Sequence, residues 1–172
     1  MNYPDAIAVP GKPAPGITVQ AKVGTYKAKL TVDGKSQVQT FELKMNPNEE
    51  YTAEDSAARF ELWWRLRSIF ARSNREIIAA MELAKEAGED SEIAKRAEAF
   101  AGKLVPQGAT LSEIANEPPK MLSKLTTVHW VLFHSEGPPP QSAYAVVDVM
   151  EKKIDAEIEA WKAFIAKHEK KS

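Results

Sequence analysis

The side chains best suited to chemistry are three histidines, a row of carboxylates and a group of tryptophans. His129 and His134 stand five residues apart, so on one helix they point about 140° away from each other. Helical metal pairs need a three- or four-residue step, and no HExxH motif occurs. Histidines in solvent or at the edge of a core account for this spacing, as they do for His168. Asp148, Glu151, Asp155, Glu157 and Glu159 interleave with Lys152, Lys153 and Lys162. Asp148 to Lys152 is the favourable acid-before-base step of a solvated helix face. Nothing in this pattern marks one carboxylate as desolvated, which general acid catalysis requires. There is no GxSxG, no GxxxxGK[ST] and no GxGxxG, and no serine has a recognisable base partner. Asp33-Gly34 lacks the alternating acids of a calcium loop. With no cysteine, thiolate metal sites, cysteine nucleophiles and disulfides are excluded. No catalytic, cofactor-binding or metal-ligating residue is expected from these patterns.

The aromatic cluster Phe60, Trp63, Trp64 and Phe70 points to packing or to a partner. Adjacent Trp63 and Trp64 lie about 100° apart on a helix, so both fit one wide apolar stripe. In the other reading one of them faces a neighbouring protein, since aromatics dominate interface energetics. Arg59, Arg65, Arg67, Arg72 and Arg75 share the segment, offset by Glu61 and Glu76. They read as solvated or interface arginines. A third possibility is a small-molecule site inside a helical bundle, lined by Trp63, Trp130 and Trp161.

The elements that must position these residues follow from composition and period. The chain has 172 residues, 44% apolar and 27% charged, with 23 basic and 24 acidic side chains and a net charge of −1. That allows one domain or a domain with an appendage. It argues against a dedicated nucleic-acid binder and against electrostatic attraction to anionic membranes. The most apolar short run, residues 127–133, is too short to span a bilayer. Met1-Asn2-Tyr3-Pro4-Asp5 has no signal-peptide pattern.

The first 50 residues are dense in proline and glycine, which favours extended structure and turns. Residues 1–16 read as a Pro-rich extended arm and 17–50 as a β-hairpin or partial Ig-like sheet. Tyr26, Ala28, Leu30 and Val32 alternate with polar residues, the period of a half-buried strand. Asp33-Gly34 supplies the positive φ angles of a tight turn. Phe41, Leu43 and Met45 form one face of the return strand. Val38 falls out of phase, which suggests a bulge near 38–40. A further short strand is expected over 17–23.

Residues 51–172 read as an antiparallel four-helix bundle of up-down order, with helices over about 52–87, 90–105, 120–135 and 142–170. Thr52 with Asp55 resembles a capping box. Asp90 or Ser91 and Ser142 serve as later caps, with one helical turn over 111–115. Phe60, Trp63, Trp64, Ile69, Phe70, Ile77, Ile78, Met81 and Ala84 mark the first apolar stripe. Trp130 is a candidate for the third. The fold class is therefore mainly α with a small β element.

The run from Gly24 to Lys35, GTYKAKLTVDGK, resembles a hairpin near the C-terminus of large bacterial proteins with sortilin-like or BNR-repeat β-propellers, often labelled glycosyl hydrolases. Leu43-Lys44-Met45-Asn46-Pro47-Asn48 and the helix start from Ala57 to Arg67 follow in the order of that family. Asn46 and Asn48 depart from its usual Asp and Arg. The resemblance implies the end of an Ig-like sandwich followed by a helical region, in a periplasmic or secreted setting; a cytoplasmic one is the alternative. Any hydrolase activity would belong to a propeller, and none of its blades or catalytic residues has a counterpart here.

A two- or three-stranded sheet leaves an apolar face and an open edge. The expected function is thus a non-catalytic accessory or scaffolding module. A protein partner, or missing N-terminal domains, would complete the sheet. The expected partner contacts are Tyr26, Leu30, Phe41 and Leu43 on the hairpin, with Trp63 and Trp64. The runner-up is the C-terminal fragment of an exported carbohydrate-active enzyme.

Overall fold

The structure, a computed structural model, describes residues 21–48, 52–106, 117–135 and 137–169. The expected arm over 1–16, most of the strand over 17–23 and the turn over 111–115 lie outside these residues. Residues 21–23 carry no strand.

Strands β1 (Gly24–Val32) and β2 (Lys35–Leu43) form an antiparallel hairpin. Asp33 and Gly34 both take positive φ, 49° and 77°, as a two-residue turn matching the strand twist requires. The register runs unbroken from Val32 opposite Lys35 to Gly24 opposite Leu43. The bulge expected near 38–40 is absent. The turn sets the register, and Val38 simply joins the polar face, opposite Lys29. No bulge is needed because no core on either side demands that Val38 turn inward. Neither strand packs against a helix of the described residues.

Four helices follow among the described residues, α1 (Ala53–Ala87), α2 (Glu92–Leu104), α3 (Met121–His134) and α4 (Gln141–Glu169). The fold is mainly helical with a small β element, as the sequence indicates. At the start of α1 the Asp55 N–H donates to Thr52 Oγ1 at 3.1 Å, and the Thr52 N–H donates to Asp55 Oδ2 at 2.9 Å, so the capping box forms. Gly88, at φ 89°, stops the helix in a conformation that side chains resist. Ser91 caps α2 by accepting from the Ala94 N–H at 3.0 Å. Ser142 does not cap α4, which already begins at Gln141.

Interhelical partners give the directions. Arg65 meets Asp148 and Glu151, Arg72 meets Glu151 and Asp155, and Glu76 meets Lys162. The numbers rise together, so the long helices α1 and α4 run in the same direction. Arg59 and Trp63 of α1 meet Leu132 and His129 of α3. Glu92, Phe100 and Lys103 of α2 meet His168, Trp161 and Glu157 of α4. These partners run in opposite order, so α2 and α3 both oppose the long pair. They follow one another along it, each about 20 Å long beside partners of about 52 and 44 Å. The expected up-down alternation would have set α1 against α4. The long connection between α2 and α3 allows another course, in which α3 continues in the direction of α2 without reversing.

The core lies along this assembly, with Leu62, Leu66, Ile69, Ile77, Leu104, Leu125, Leu132, Val147 and Ile154 fully buried. Among the described residues no helix is long and apolar enough to cross a membrane.

Candidate docking surface

The hairpin presents its apolar residues to solvent. Tyr26, Ala28, Leu30 and Val32 share one face with Phe41 and Leu43, because side chains alternate along each strand. Leu30 is 65% exposed, Val32 57%, Phe41 48% and Leu43 37%. Tyr26 is half-buried. Its ring stacks on Phe41 at 5.9 Å and its hydroxyl donates to the Lys22 carbonyl at 2.6 Å. Lys22 in turn sets its ammonium 5.3 Å from the centre of the Phe60 ring of α1. Phe60 stacks on Trp64 at 6.1 Å. The foot of the hairpin therefore adjoins an aromatic pair on the first helix.

The two tryptophans part company. Trp64 is 41% exposed. Trp63 is 2% exposed, and its expected place on a contact surface is corrected. One residue step turns its ring into the α1–α3 interface, where the Arg59 guanidinium lies 5.2 Å above it and His129 6.4 Å away. Trp63, Trp130 and Trp161 do not line a common site. Trp161 stacks on Phe100 at 5.6 Å, in the half of the molecule built from α2. Trp130 is 59% exposed and stacks on His134 at 3.9 Å, so its expected inward position is corrected as well. It forms an exposed apolar end to α3 with Val131 and Phe133. The sequence signal for this ridge was weak: in an apolar run, period alone does not separate inner from outer positions.

The arginines of α1 are not a solvated strip. Arg59 and Arg67 are buried. The Arg59 guanidinium donates to the carbonyls of Leu132 and Gly137, so it caps the C-terminal turn of α3 from another helix. Arg65 and Arg72 bridge to the carboxylates of α4. Those carboxylates thus serve interhelical pairing. Partial burial lowers the Arg65 pKa, but hydrogen bonds and charges of Glu151 and Asp148 outweigh it and hold the group above its ordinary value. A hydrogen bond with Glu76, and its charge, hold Lys162 above its ordinary value. Each pair is partly open to water, so its contribution is small. A double-mutant cycle on Arg72→Ala and Asp155→Ala is expected to give a coupling of about 0.5–1 kcal/mol. It should shrink in about 1 M salt as the charges are screened. A coupling that is unchanged by salt would contradict the ionic origin.

Polar groups elsewhere are used by structure. The Ser68 and Ser73 hydroxyls donate to the carbonyls of Trp64 and Ile69. Among the described residues no group of three or more His, Asp or Glu side chains gathers to hold a metal. What the arrangement offers chemically is apolar area, aromatic rings and the free main-chain edges of a two-stranded sheet. No family model, curated protein or solved structure matches this chain.

Proposed function

We propose that this chain is a non-catalytic docking module of a larger, extracytoplasmic assembly, and that it offers the apolar face of its hairpin to a protein partner. One observation carries this reading: Leu30, Val32, Phe41 and Leu43 are all exposed, and none of the described helices covers them. A two-stranded hairpin is marginal in water by itself, and contiguous exposed apolar area marks interaction sites. The described helices bury a core to which no hairpin residue contributes. Trp64 and Phe60 at its foot enlarge the surface. The resemblance of residues 24–35, 43–48 and 57–67 to the end of sortilin-like propeller proteins favours a second reading, in which the same module is the non-catalytic C-terminal part of an exported carbohydrate-active enzyme.

Sedimentation and binding of an apolar-sensitive dye test the proposal. The chain without a partner is expected to bind the dye and to sediment above its 19.0 kDa monomer mass. The double substitution Leu30→Asp/Phe41→Asp should abolish both effects and leave helix content unchanged, since neither strand packs against a described helix. A dye-silent wild-type monomer would overturn the proposal.

A further inference from the structure

The hairpin separates its apolar and charged residues in a way that specifies what can pair with it. A two-residue turn closes on a hydrogen-bonded pair, here Val32 and Lys35. Narrow and wide pairs then alternate along the ladder. Leu30/Gln37, Ala28/Gln39, Tyr26/Phe41 and Gly24/Leu43 therefore spend their main-chain groups inside the hairpin. The residues between them turn their N–H and C=O groups outward. On β1 these are Thr25, Lys27, Lys29 and Thr31; on β2 they are Ser36, Val38, Thr40 and Glu42. Each edge is a template for another strand.

The two edges differ in what flanks them. Beside β1 the apolar face carries Tyr26, Ala28, Leu30 and Val32, whereas beside β2 the same face carries Lys35, Gln37 and Gln39 before it reaches Phe41. On the opposite face, Lys27 stands across from Thr40 and Lys29 across from Val38, so neither has an acid opposite it. Glu42, across from Thr25, is engaged by Lys44 at 3.4 Å. Among the described residues Lys27 and Lys29 have no ion-pair partner.

We infer that the partner supplies an extended strand along the outer edge of β1, with carboxylates beside Lys27 and Lys29 alternating with apolar side chains beside Tyr26, Ala28 and Leu30. This rests on the docking reading above and narrows its partner to an acidic–apolar alternating strand. Three features agree on the β1 edge. Among the described residues its outward main-chain groups have no strand partner, one of its faces is continuously apolar, and the other holds two positive charges with no ion-pair partner. A strand on β2 would meet glutamines on one face and Glu42 on the other. The same lysines repel a second β1 edge, so they select against self-pairing along that edge.

The test uses two labelled peptides of nine residues, the length of β1. One alternates Glu and Val, the other Lys and Val, and each is titrated into the full chain by fluorescence anisotropy. The Glu/Val peptide is expected to bind at least about tenfold more tightly, since two cross-strand charge pairs change from attraction to repulsion between the peptides. On binding, the amides of Thr25, Lys27, Lys29 and Thr31 should exchange more slowly, and those of Ser36, Val38, Thr40 and Glu42 should not change. Lys27→Glu/Lys29→Glu should invert the preference. Equal binding of both peptides overturns the acidic strand and leaves apolar docking intact. Protection along β2 overturns the edge assignment. Binding of neither peptide also overturns the acidic strand, while the docking reading is judged by the sedimentation and dye result, which involves no peptide.

Discussion

Replacing Arg59 with alanine is expected to lower the unfolding free energy by about 3 kcal/mol, summed from lost charged hydrogen bonds and lost ring contact. Arg59 is 7% exposed. Its guanidinium donates to the carbonyls of Leu132, in the last turn of α3, and of Gly137, in the link to α4. It also covers the face of Trp63. Alanine removes all three interactions at once, including the charged donor that both carbonyls share. Arg59→Lys keeps a charge but not the planar fork that reaches two acceptors, so it should recover only part of the loss. Urea denaturation followed by helix circular dichroism measures both variants. A loss below about 1 kcal/mol for Arg59→Ala would show that water replaces the guanidinium at little cost.

The second large effect is expected from Trp161→Ala, a loss of about 3–5 kcal/mol. Trp161 is 3% exposed and lies between Phe100 of α2 and Phe164 of its own helix, at 5.6 and 5.9 Å. Removing it empties the contact that joins α2 to α4. That contact is otherwise supported by two ionic pairs in partly exposed positions, Lys103–Glu157 and His168–Glu92. The α2 helix has only 13 residues, a length that is marginal without packing. Hydrogen exchange in Trp161→Ala should therefore speed up first in α2, while α3 and the neighbouring part of α1 keep their protection. Trp130→Ala is the control. Its ring is 59% exposed, so stability should change by less than about 0.5 kcal/mol. Uniform loss of protection along all four helices would show instead that the two ends of the bundle unfold as one unit.

Local features were legible in the residues. The Thr52–Asp55 box, the stop at Gly88, the Ser91 cap and the Asp33-Gly34 turn each depend on neighbours within a few positions. So do the four helix spans, which the structure places within two residues of those read from the period. The buried residues Ala97, Phe100 and Leu104 of α2, and Leu122, Leu125, Val128 and Leu132 of α3, keep helical spacing. The apolar stripe of α1 was legible only in outline. Leu62 and Leu66 lie at its centre, while Met81 and Trp64 lie at its exposed margin. A stripe of that width does not say which of its residues faces the nearest neighbour.

On the candidate surface the hairpin residues were legible and the helix residues only in part. Leu30, Phe41 and Leu43 share one face because alternation along a strand is a local rule; that this face is exposed was decided by the tertiary structure. Trp63 and Trp64 differ by one residue, and their fates depend on where α3 lies. Trp130 was misplaced for the same reason.

The sequence by itself determined the elements, their ends and the two faces of the hairpin, because capping, turn geometry and side-chain period act over a few residues of chain. Only the tertiary structure decided that α1 and α4 run in the same direction, that Arg59 caps α3 across about seventy residues of chain, and that none of the described helices covers the hairpin. Those outcomes depend on which apolar surfaces meet and on the course of the long link between α2 and α3. Residue spacing carries no record of either.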